Sequence, residues 1–257
     1  MAIIKESVGK KMNNIGIFRV ILLIARPAAG KSEIIAYLKS VPLEERIRRF
    51  HIGELDEIDD FPMLWTWFEE DALLKKMGYP PIHTDQDGYF LNQYFWDLLI
   101  ERIGLEYSKR LRDISDYNER YTTLLEFSRG SEHGGYRSAF THLSQEIIKQ
   151  MAVLYVEVSW EESLRKNRKR FNPDKPDSIL EHGLSDDKLE RLYKESDWQA
   201  VSHADKHYLS IQGYQVPYVV FNNHDDLTSE PGTALGDRLE VKIHELWEHQ
   251  QATIKTS

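Results

Sequence analysis

Three consecutive residues, Gly30, Lys31 and Ser32, follow a short run of small residues and an apolar segment. Such a loop can bind a phosphate chain, because its backbone N–H groups surround the anion, the lysine adds a positive charge and the serine hydroxyl can ligate Mg²⁺. The helix predicted after the loop adds its positive N-terminal end. The cofactor-binding residues expected from this pattern are Pro27, Ala28, Ala29, Gly30, Lys31, Ser32 and Glu33.

Ala25 stands where the strict form of this phosphate-loop motif has its first glycine. A wider form of the motif accepts alanine there, and the other landmarks of the motif are present. The alternative is an ordinary strand-to-helix turn that carries an exposed lysine. The apolar run before the loop and the helical pattern after it favour nucleotide binding.

A second candidate group is acidic, since residues 54–60 carry five carboxylates. The cluster follows a predicted strand, where a carboxylate can accept the proton of an attacking hydroxyl or hold a metal ion through water. Asp56 is the first choice for a catalytic residue, and Asp59 and Asp60 are close competitors. The alternative is a solvated loop or a helix N-terminus, where clustered acids are common.

The third predicted strand ends with an acid and then a base, Glu126 and Arg129. A carboxylate beside the phosphate loop can order Mg²⁺ or its waters, so Glu126 joins Ser32 as an expected metal ligand. Arg129 is expected to act in catalysis by binding a substrate phosphate or polar group in a bidentate manner. The alternative is a structural ion pair between Glu126 and Arg129, which is compatible with the first interpretation.

A strongly basic helix is predicted at residues 161–171, with five basic residues between positions 165 and 170. Arg165 and Arg168 share one face of it. A polar, proline-containing loop and a second predicted helix follow, which together suggest a lid that brings these arginines to the transferring phosphates and excludes water on closure. The alternative is a solvated basic helix, or an electrostatic contact for a polyanion.

The histidines and aromatic residues are less informative. His203 and His207 are four residues apart, but no His-Glu-x-x-His pattern accompanies them, so solvated histidines are expected rather than zinc ligands. His244 and His249 suggest no function. The aromatic residues of positions 61–96 are expected mostly in packing, with the remainder lining an acceptor pocket. The polar loop after the last strand is equally compatible with a purine contact and a simple turn.

Strand-like and helical segments alternate along the chain. Strands are predicted at residues 17–24, 50–55, 122–127, 152–158 and 216–221, and helices at residues 32–40, 61–77, 91–115, 136–151, 161–171, 186–196 and 234–250. Apolar strands with helices between them predict a parallel sheet covered on both faces, and in such sheets ligands lie at the carboxyl ends of the strands. We expect one domain over residues 1–257. Within it, residues 15–60 carry the phosphate loop and the acidic cluster, residues 61–120 a helical acceptor-side insertion and residues 160–198 the lid.

Composition narrows the possible partners. The 257 residues carry a net charge of -9, which argues against a general nucleic-acid or anionic-membrane binder. The chain has no cysteine, so disulfides and thiolate chemistry are excluded. The apolar runs are far shorter than a membrane span, and the N-terminal residues do not resemble a signal peptide. A cytoplasmic protein with small-molecule partners is expected, and its oligomeric state is not predicted.

Taken in chain order, these segments resemble the P-loop kinases that act on nucleosides, nucleotides and small metabolites. The residues that carry the resemblance are Ala25 to Ser32, Asp56 to Asp60, Glu126 to Arg129, Arg165 to Arg170 and Val219 to Asp225. The resemblance implies an α/β fold of three layers, with a five-stranded parallel sheet in the order 2-3-1-4-5 and a helical lid. It also implies Mg-ATP-dependent phosphorylation.

By this resemblance, Lys31 neutralises the β- and γ-phosphates, Ser32 holds Mg²⁺, Arg165 and Arg168 stabilise the transferring charge, and an acid of the Asp56 cluster orients the acceptor hydroxyl. No subfamily signature is present, so the acceptor stays open. A nucleoside or nucleotide is slightly favoured over a sugar, vitamin or antibiotic. The alternative functions are a nucleotide-binding regulator without a small-molecule acceptor, and an ATPase or GTPase coupled to assembly.

Overall fold

The computed structural model describes residues 16–170, 174 and 183–256. They form an α/β fold around one six-stranded sheet in the order β2-β3-β1-β4-β6-β5. The strands are β1 (Val20–Ala25), β2 (Glu54–Asp59), β3 (Tyr121–Phe127), β4 (Met151–Glu157), β5 (Tyr208–Ile211) and β6 (Tyr214–Asn222). All neighbouring pairs are parallel except β5 and β6, which are antiparallel.

The strand count and order therefore differ from the predicted five-stranded sheet. The additional strand is β5, which forms a hairpin with β6 at the edge of the sheet. The turn of this hairpin is Gln212-Gly213, and both residues have a positive φ, as tight two-residue hairpin turns require. β5 spans only four residues, which is too short for an alternating pattern to stand out in the sequence.

Eleven α-helices are present in the described residues. They are α1 (Lys31–Ser40), α2 (Leu43–Phe50), α3 (Asp60–Lys76), α4 (Tyr94–Asp113), α5 (Tyr117–Arg120), α6 (Gly135–Thr141), α7 (Gln145–Ile148), α8 (Trp160–Arg170), α9 (Asp186–Tyr193), α10 (Trp198–Ser202) and α11 (Thr233–Thr256). The helix predicted at residues 136–151 is interrupted between α6 and α7, where Ser144 caps α7 by accepting the backbone N–H of Ile147.

The sheet buries both of its faces, as its apolar central strands predict. Every residue of β1 is buried, and alternate side chains belong to two separate cores. Leu22 and Ile24 pack with residues of α4 and α6 on one face, whereas Ile21 and Leu23 pack with α1 and α11 on the other. Each fully buried leucine or isoleucine contributes about 1.5–3 kcal/mol, so this double burial holds β1 rigidly at the centre of the sheet.

Strand β2 lies further along the chain than predicted. Phe50, the first residue of the predicted strand, is the last residue of the amphipathic helix α2, residues 51–53 belong to no helix or strand, and the strand itself consists of Glu54–Asp59. As an edge strand it tolerates acidic side chains, and only Ile58 is buried. This shift places Asp56 in the middle of the strand and Asp59 at its carboxyl end.

The predicted lid region is described only in part. Helices α8 and α9 are present, while residues 171–173 and 175–182 between them lie outside the described residues. Among the described residues, no helix combines the length and the apolar character needed to cross a membrane.

Candidate active site

A large cavity lies at the carboxyl ends of β1, β2 and β3. Its volume is about 720 Å³. The loop before α1, the first turns of α3 and the residues after β3 line one part of it, and aromatic residues of α3 and of the segment before α4 line another. Helices α8 and α9 contribute residues to its rim. The cavity thus occupies the edge of the sheet where ligands bind in α/β proteins.

The loop between β1 and α1 has the backbone of an anion-binding turn. Ala28 has φ 56° and Gly30 has φ 106°, both in the left-handed region. A Cβ on Gly30 would lie 2.3 Å from Thr228 Oγ1, so close approach as well as conformation requires glycine there. No side chain caps α1, and its first-turn N–H groups have no partner within the helix, so they are available to an anion.

Residues from α8 and from the segment after β6 brace this loop from behind. Asn223 Nδ2 donates to the carbonyl of Ala29 at 2.9 Å and to Thr228 Oγ1 at 2.8 Å. Ser163 Oγ donates to the carbonyl of Pro27 at 2.8 Å. Lys166 Nζ donates to Thr228 Oγ1 at 3.1 Å. In the described structure, the segment after β6 therefore supports the loop through Asn223 and Thr228.

Lys31 is held in the cavity by groups from β3 and the residue after it. Its Nζ donates to Ser128 Oγ at 2.8 Å and lies 3.7 Å from Glu126 Oε1. The residue is buried, yet it lines the cavity, so its charge acts with little solvent screening. Ser32 Oγ accepts a hydrogen bond from Arg170 Nη2 at 3.3 Å.

Three carboxylates meet beside Lys31, those of Asp59, Asp60 and Glu126. Asp59 and Glu126 are paired residues on the neighbouring strands β2 and β3. Burial, together with the charges of Glu126 and Asp60, raises the pKa of Asp59 to about 8. Burial also raises the pKa of Glu126, while Lys31 opposes that rise. A carboxyl with a pKa close to neutrality is suited to accept and release a proton.

Arg129 pairs with Asp60 and not with Glu126. Its Nη1 donates to Asp60 Oδ2 at 2.6 Å, and its Nη2 donates to the carbonyl of Trp96 at 3.1 Å. Burial raises the pKa of Asp60, and Arg129 opposes that rise. Because breaking a buried pair leaves an uncompensated charge, we expect Arg129 to act mainly by holding Asp60 and the cavity wall in place.

The far part of the cavity has aromatic walls. The aromatic residues that line it are Trp65, Phe68, Tyr89, Phe90 and Trp96. Trp96 also belongs to a small core with Trp67 and Phe95, and Phe90 packs against that core. Some of these aromatic residues therefore pack in a core, while others line the cavity. A planar ligand can stack on such walls.

Two cations stand at the rim of this aromatic part. The Arg191 guanidinium lies 3.9 Å from the centre of the Tyr89 ring, and Lys188 Nζ lies 5.2 Å from it. Arg191 also pairs with Glu132 at 2.7 Å. Both cations belong to α9 and line the cavity, so they can meet an anionic group of a ligand that stacks on the aromatic wall.

His133 closes the cavity near Arg129. Its ring stacks on Trp96 at 3.7 Å, and burial together with Arg129 lowers its pKa to about 3, so the ring is neutral at physiological pH. Within the residues that the structure describes, its Nε2 is buried and has no hydrogen-bond partner. A ligand oxygen or a water can satisfy it.

Three of the residues singled out from the sequence lie apart from the cavity lining. Asp56 accepts hydrogen bonds from Tyr117 Oη at 2.6 Å and from Arg110 Nε at 2.9 Å, in the middle of β2. Arg165 pairs with Glu162 and Asp226, and Arg168 pairs with Asp186. In this structure Asp56, Arg165 and Arg168 do not line the cavity, whereas the loop before α1, Glu126 and Arg129 do.

The face of α8 that packs against the protein is not the face that carries Arg165 and Arg168. Ser163, Lys166 and Asn167 of α8 are buried, and Arg170 continues this face to the cavity. The sequence does indicate this buried face, because Ser163 and Asn167 lie four residues apart and are uncharged in an otherwise charged helix. No pattern in the sequence indicated that Lys188 and Arg191 of α9 would line the cavity.

Comparison with known proteins adds little. No protein family and no curated protein matches the chain. Among solved structures, an unliganded sugar kinase from Janibacter sp. HTCC2649 aligns over 88% of this chain and 95% of its own, with 12% identity and a TM-score of 0.36. A likeness this weak carries no argument about the fold or the activity of this chain.

Proposed function

We propose that this protein is a Mg-ATP-dependent phosphotransferase that transfers the γ-phosphoryl group to a small hydroxylated acceptor. The observation that carries the proposal is one continuous cavity. The anion-binding loop and Lys31 lie in one part of it, the carboxylates of Asp59, Asp60 and Glu126 lie beside them, and an aromatic wall completes it. Phosphoryl transfer needs these groups together, because it depends on positioning and on charge stabilisation.

The residues present fit a polyphosphate and Mg²⁺. The left-handed backbone at Ala28 and Gly30 and the uncapped start of α1 suit a phosphate chain, which Lys31 would neutralise. Ser32 supplies a hydroxyl and Glu126 a carboxylate, the hard oxygen donors that Mg²⁺ prefers. Bound Mg-ATP would supply the phosphoryl group and the charge that neutralises its oxygens.

Asp59 is our candidate for the general base. It caps α3 by accepting the backbone N–H of Phe61 with Oδ1, so the second oxygen remains for the acceptor hydroxyl. Its pKa of about 8 means that neighbouring cations must draw the proton away before it can act. Lys31 already lowers this pKa, and further positive charge would lower it more. Asp60 is less suited, because Arg129 occupies its carboxylate.

Arg170 replaces Arg165 and Arg168 as the arginine expected to stabilise the transferring charge. It lines the cavity and donates to Ser32 Oγ, the hydroxyl assigned above to Mg²⁺. A guanidinium at this position can bind phosphate oxygens in a bidentate manner.

The acceptor proposed is a nucleoside or nucleotide, ahead of a sugar, vitamin or antibiotic. Trp65, Phe68 and Tyr89 offer flat apolar surface, which suits a base better than a fully hydroxylated sugar. Lys188 and Arg191 stand beside Tyr89, where a phosphate or another anionic group of the acceptor would meet them.

Mass spectrometry with a pooled acceptor library tests this function. The protein is incubated with Mg-ATP and a mixture of nucleosides, nucleotides, sugars and aminoglycosides, and the Lys31→Ala variant serves as the background for contaminating kinases. A product heavier by one phosphoryl group, formed only by the wild type, supports the proposal and identifies the acceptor. ATP that is bound but not consumed by any acceptor class favours the alternative, a nucleotide-binding regulator.

A further inference from the structure

A cluster of metal-binding side chains lies outside the cavity, where the β5–β6 hairpin meets α11. One ligand atom from each of His207, Glu245 and His249 lies within 4.8 Å of the other two. Glu245 and His249 are one turn apart on α11 and share a face, and His207 comes from the residue before β5. None of the three lines the cavity described above.

The side chains are arranged toward one point. The rings of His207 and His249 have their centres 4.4 Å apart. His249 Nε2 lies 3.9 Å from Glu245 Oε1, which is too long for a hydrogen bond. In the described part of the chain this nitrogen is buried and has no hydrogen-bond partner. A cation bound between this imidazole nitrogen and the carboxylate oxygen would satisfy both groups.

Neighbouring groups hold the three side chains in place. Lys242 Nζ binds Glu245 Oε2 at 2.8 Å, which turns the other carboxylate oxygen toward His249. Asp205 Oδ1 accepts the backbone N–H of His207 at 2.7 Å and so fixes the turn that presents this histidine. Such outer contacts orient the ligands of protein metal sites.

We propose that His207, Glu245 and His249 bind one divalent transition-metal ion, with Zn²⁺ favoured by this donor set. Two imidazoles and one carboxylate form a three-residue set found in zinc sites that keep a position open for water. Imidazole ligands select against Mg²⁺, which prefers oxygen donors, so this site is chemically distinct from the one assigned to Mg²⁺. The bound ion would tie the start of the edge hairpin to α11.

The sequence analysis weighed another histidine pair, His203 and His207, and predicted solvated side chains rather than zinc ligands. His203 and His207 have a metal-compatible spacing, but the His203 ring is hydrogen-bonded to the carbonyl of Ala200 at 2.8 Å instead. The partners of His207 come from α11, which is distant in the chain. No local pattern reveals a site of this kind, because its ligands meet only after the hairpin packs against the helix.

Isothermal titration of the tag-free protein with ZnCl₂ tests the proposal, and the visible absorption of bound Co²⁺ reports the ligand geometry. We expect one ion per chain, a higher Tm with Zn²⁺, and no effect of MgCl₂ on this site. His207→Gln should weaken Zn²⁺ binding roughly tenfold or more, because it removes one ligand. His207 is exposed, so this variant should fold like the wild type.

His203→Gln and His244→Gln are the matched controls, since both remove a nearby histidine from outside the cluster. They should bind Zn²⁺ with the affinity of the wild type. The proposal is overturned if the wild type binds no Zn²⁺, or if His203→Gln weakens binding as much as His207→Gln. Lys31→Ala should retain the metal, because the site does not depend on the nucleotide.

Discussion

Asp59 and Glu126 occupy paired positions on the neighbouring strands β2 and β3, so two carboxylates stand side by side next to Lys31. Each charge raises the cost of ionising the other in a buried place, and the pKa of Asp59 rises to about 8. Adjacent acids of this kind are unfavourable for stability and suited to binding a cation or a proton. This pair is the chemical centre of the proposed reaction.

Lys31→Ala is expected to abolish nucleotide binding, because the variant removes the buried positive charge from the anion-binding loop. Titration of ATP with and without Mg²⁺ measures the effect. Lys39→Ala is the matched control, since Lys39 lies on the same helix, is exposed and pairs with Glu57. An ATP affinity in Lys31→Ala equal to that of Lys39→Ala would rule out the nucleotide site.

Asp59→Asn is expected to lower kcat about 10²–10⁴-fold with little change in ATP affinity, because the proton acceptor is lost. Asparagine can still cap α3, so the fold should persist. Asp56→Asn, in the same strand, should leave kcat close to that of the wild type. That variant weakens bonds to Arg110 and Tyr117 and should lower the free energy of unfolding by about 1–3 kcal/mol, as measured by urea denaturation. A large loss of kcat in Asp56→Asn with little change in Asp59→Asn would indicate that Asp56 is the catalytic residue.

The buried Asp59 also predicts a pH dependence of stability. Its pKa is raised in the folded protein from 3.8 to about 8, so the folded state holds the proton more tightly than the unfolded state does. The contribution of protonated Asp59 to the free energy of unfolding is therefore fully present below about pH 4 and is lost as the pH rises through about 8. Asp59→Asn cannot ionise and should escape this loss.

Thermal unfolding of the wild type and of Asp59→Asn, without nucleotide, measures this difference. The Tm of the variant should exceed that of the wild type by an amount that grows from pH 5 to pH 8 and then levels off. Asp56→Asn serves as the control for removing a β2 carboxylate. A Tm difference between Asp59→Asn and the wild type that is constant across this pH range would mean that Asp59 is ionised throughout.

Arg170→Gln is expected to reduce kcat by roughly 10²–10³-fold, because it removes a cation that faces the proposed phosphate site. Arg168→Gln is the control on the same helix, and its partner is Asp186 at the surface. It should change kcat little. Steady-state kinetics with the acceptor identified by mass spectrometry compare the two, and equal losses in both variants would indicate a general electrostatic effect of α8.

The sequence alone determined the local features of this protein. A strand, a turn and a helix were predicted around Gly30 and Lys31, and the structure contains β1 and α1 there. An α/β fold with a largely parallel sheet also followed from the alternation of apolar strands and helices. These features depend on continuous stretches of chain, where hydrophobic periodicity and glycine placement act over a few residues.

Tertiary structure alone decided which charged side chains meet. The register of β2 against β3 brings Asp59 to Glu126 and leaves Asp56 with Arg110, and a one-residue change in register would reverse the faces of the strand. Packing of α8 against the loop before α1 likewise places Arg170 in the cavity lining and leaves Arg168 paired with Asp186. The cluster of His207 with α11 arose in the same way. These contacts depend on packing between segments that are distant in the chain, so the spacing of residues along the sequence does not predict them.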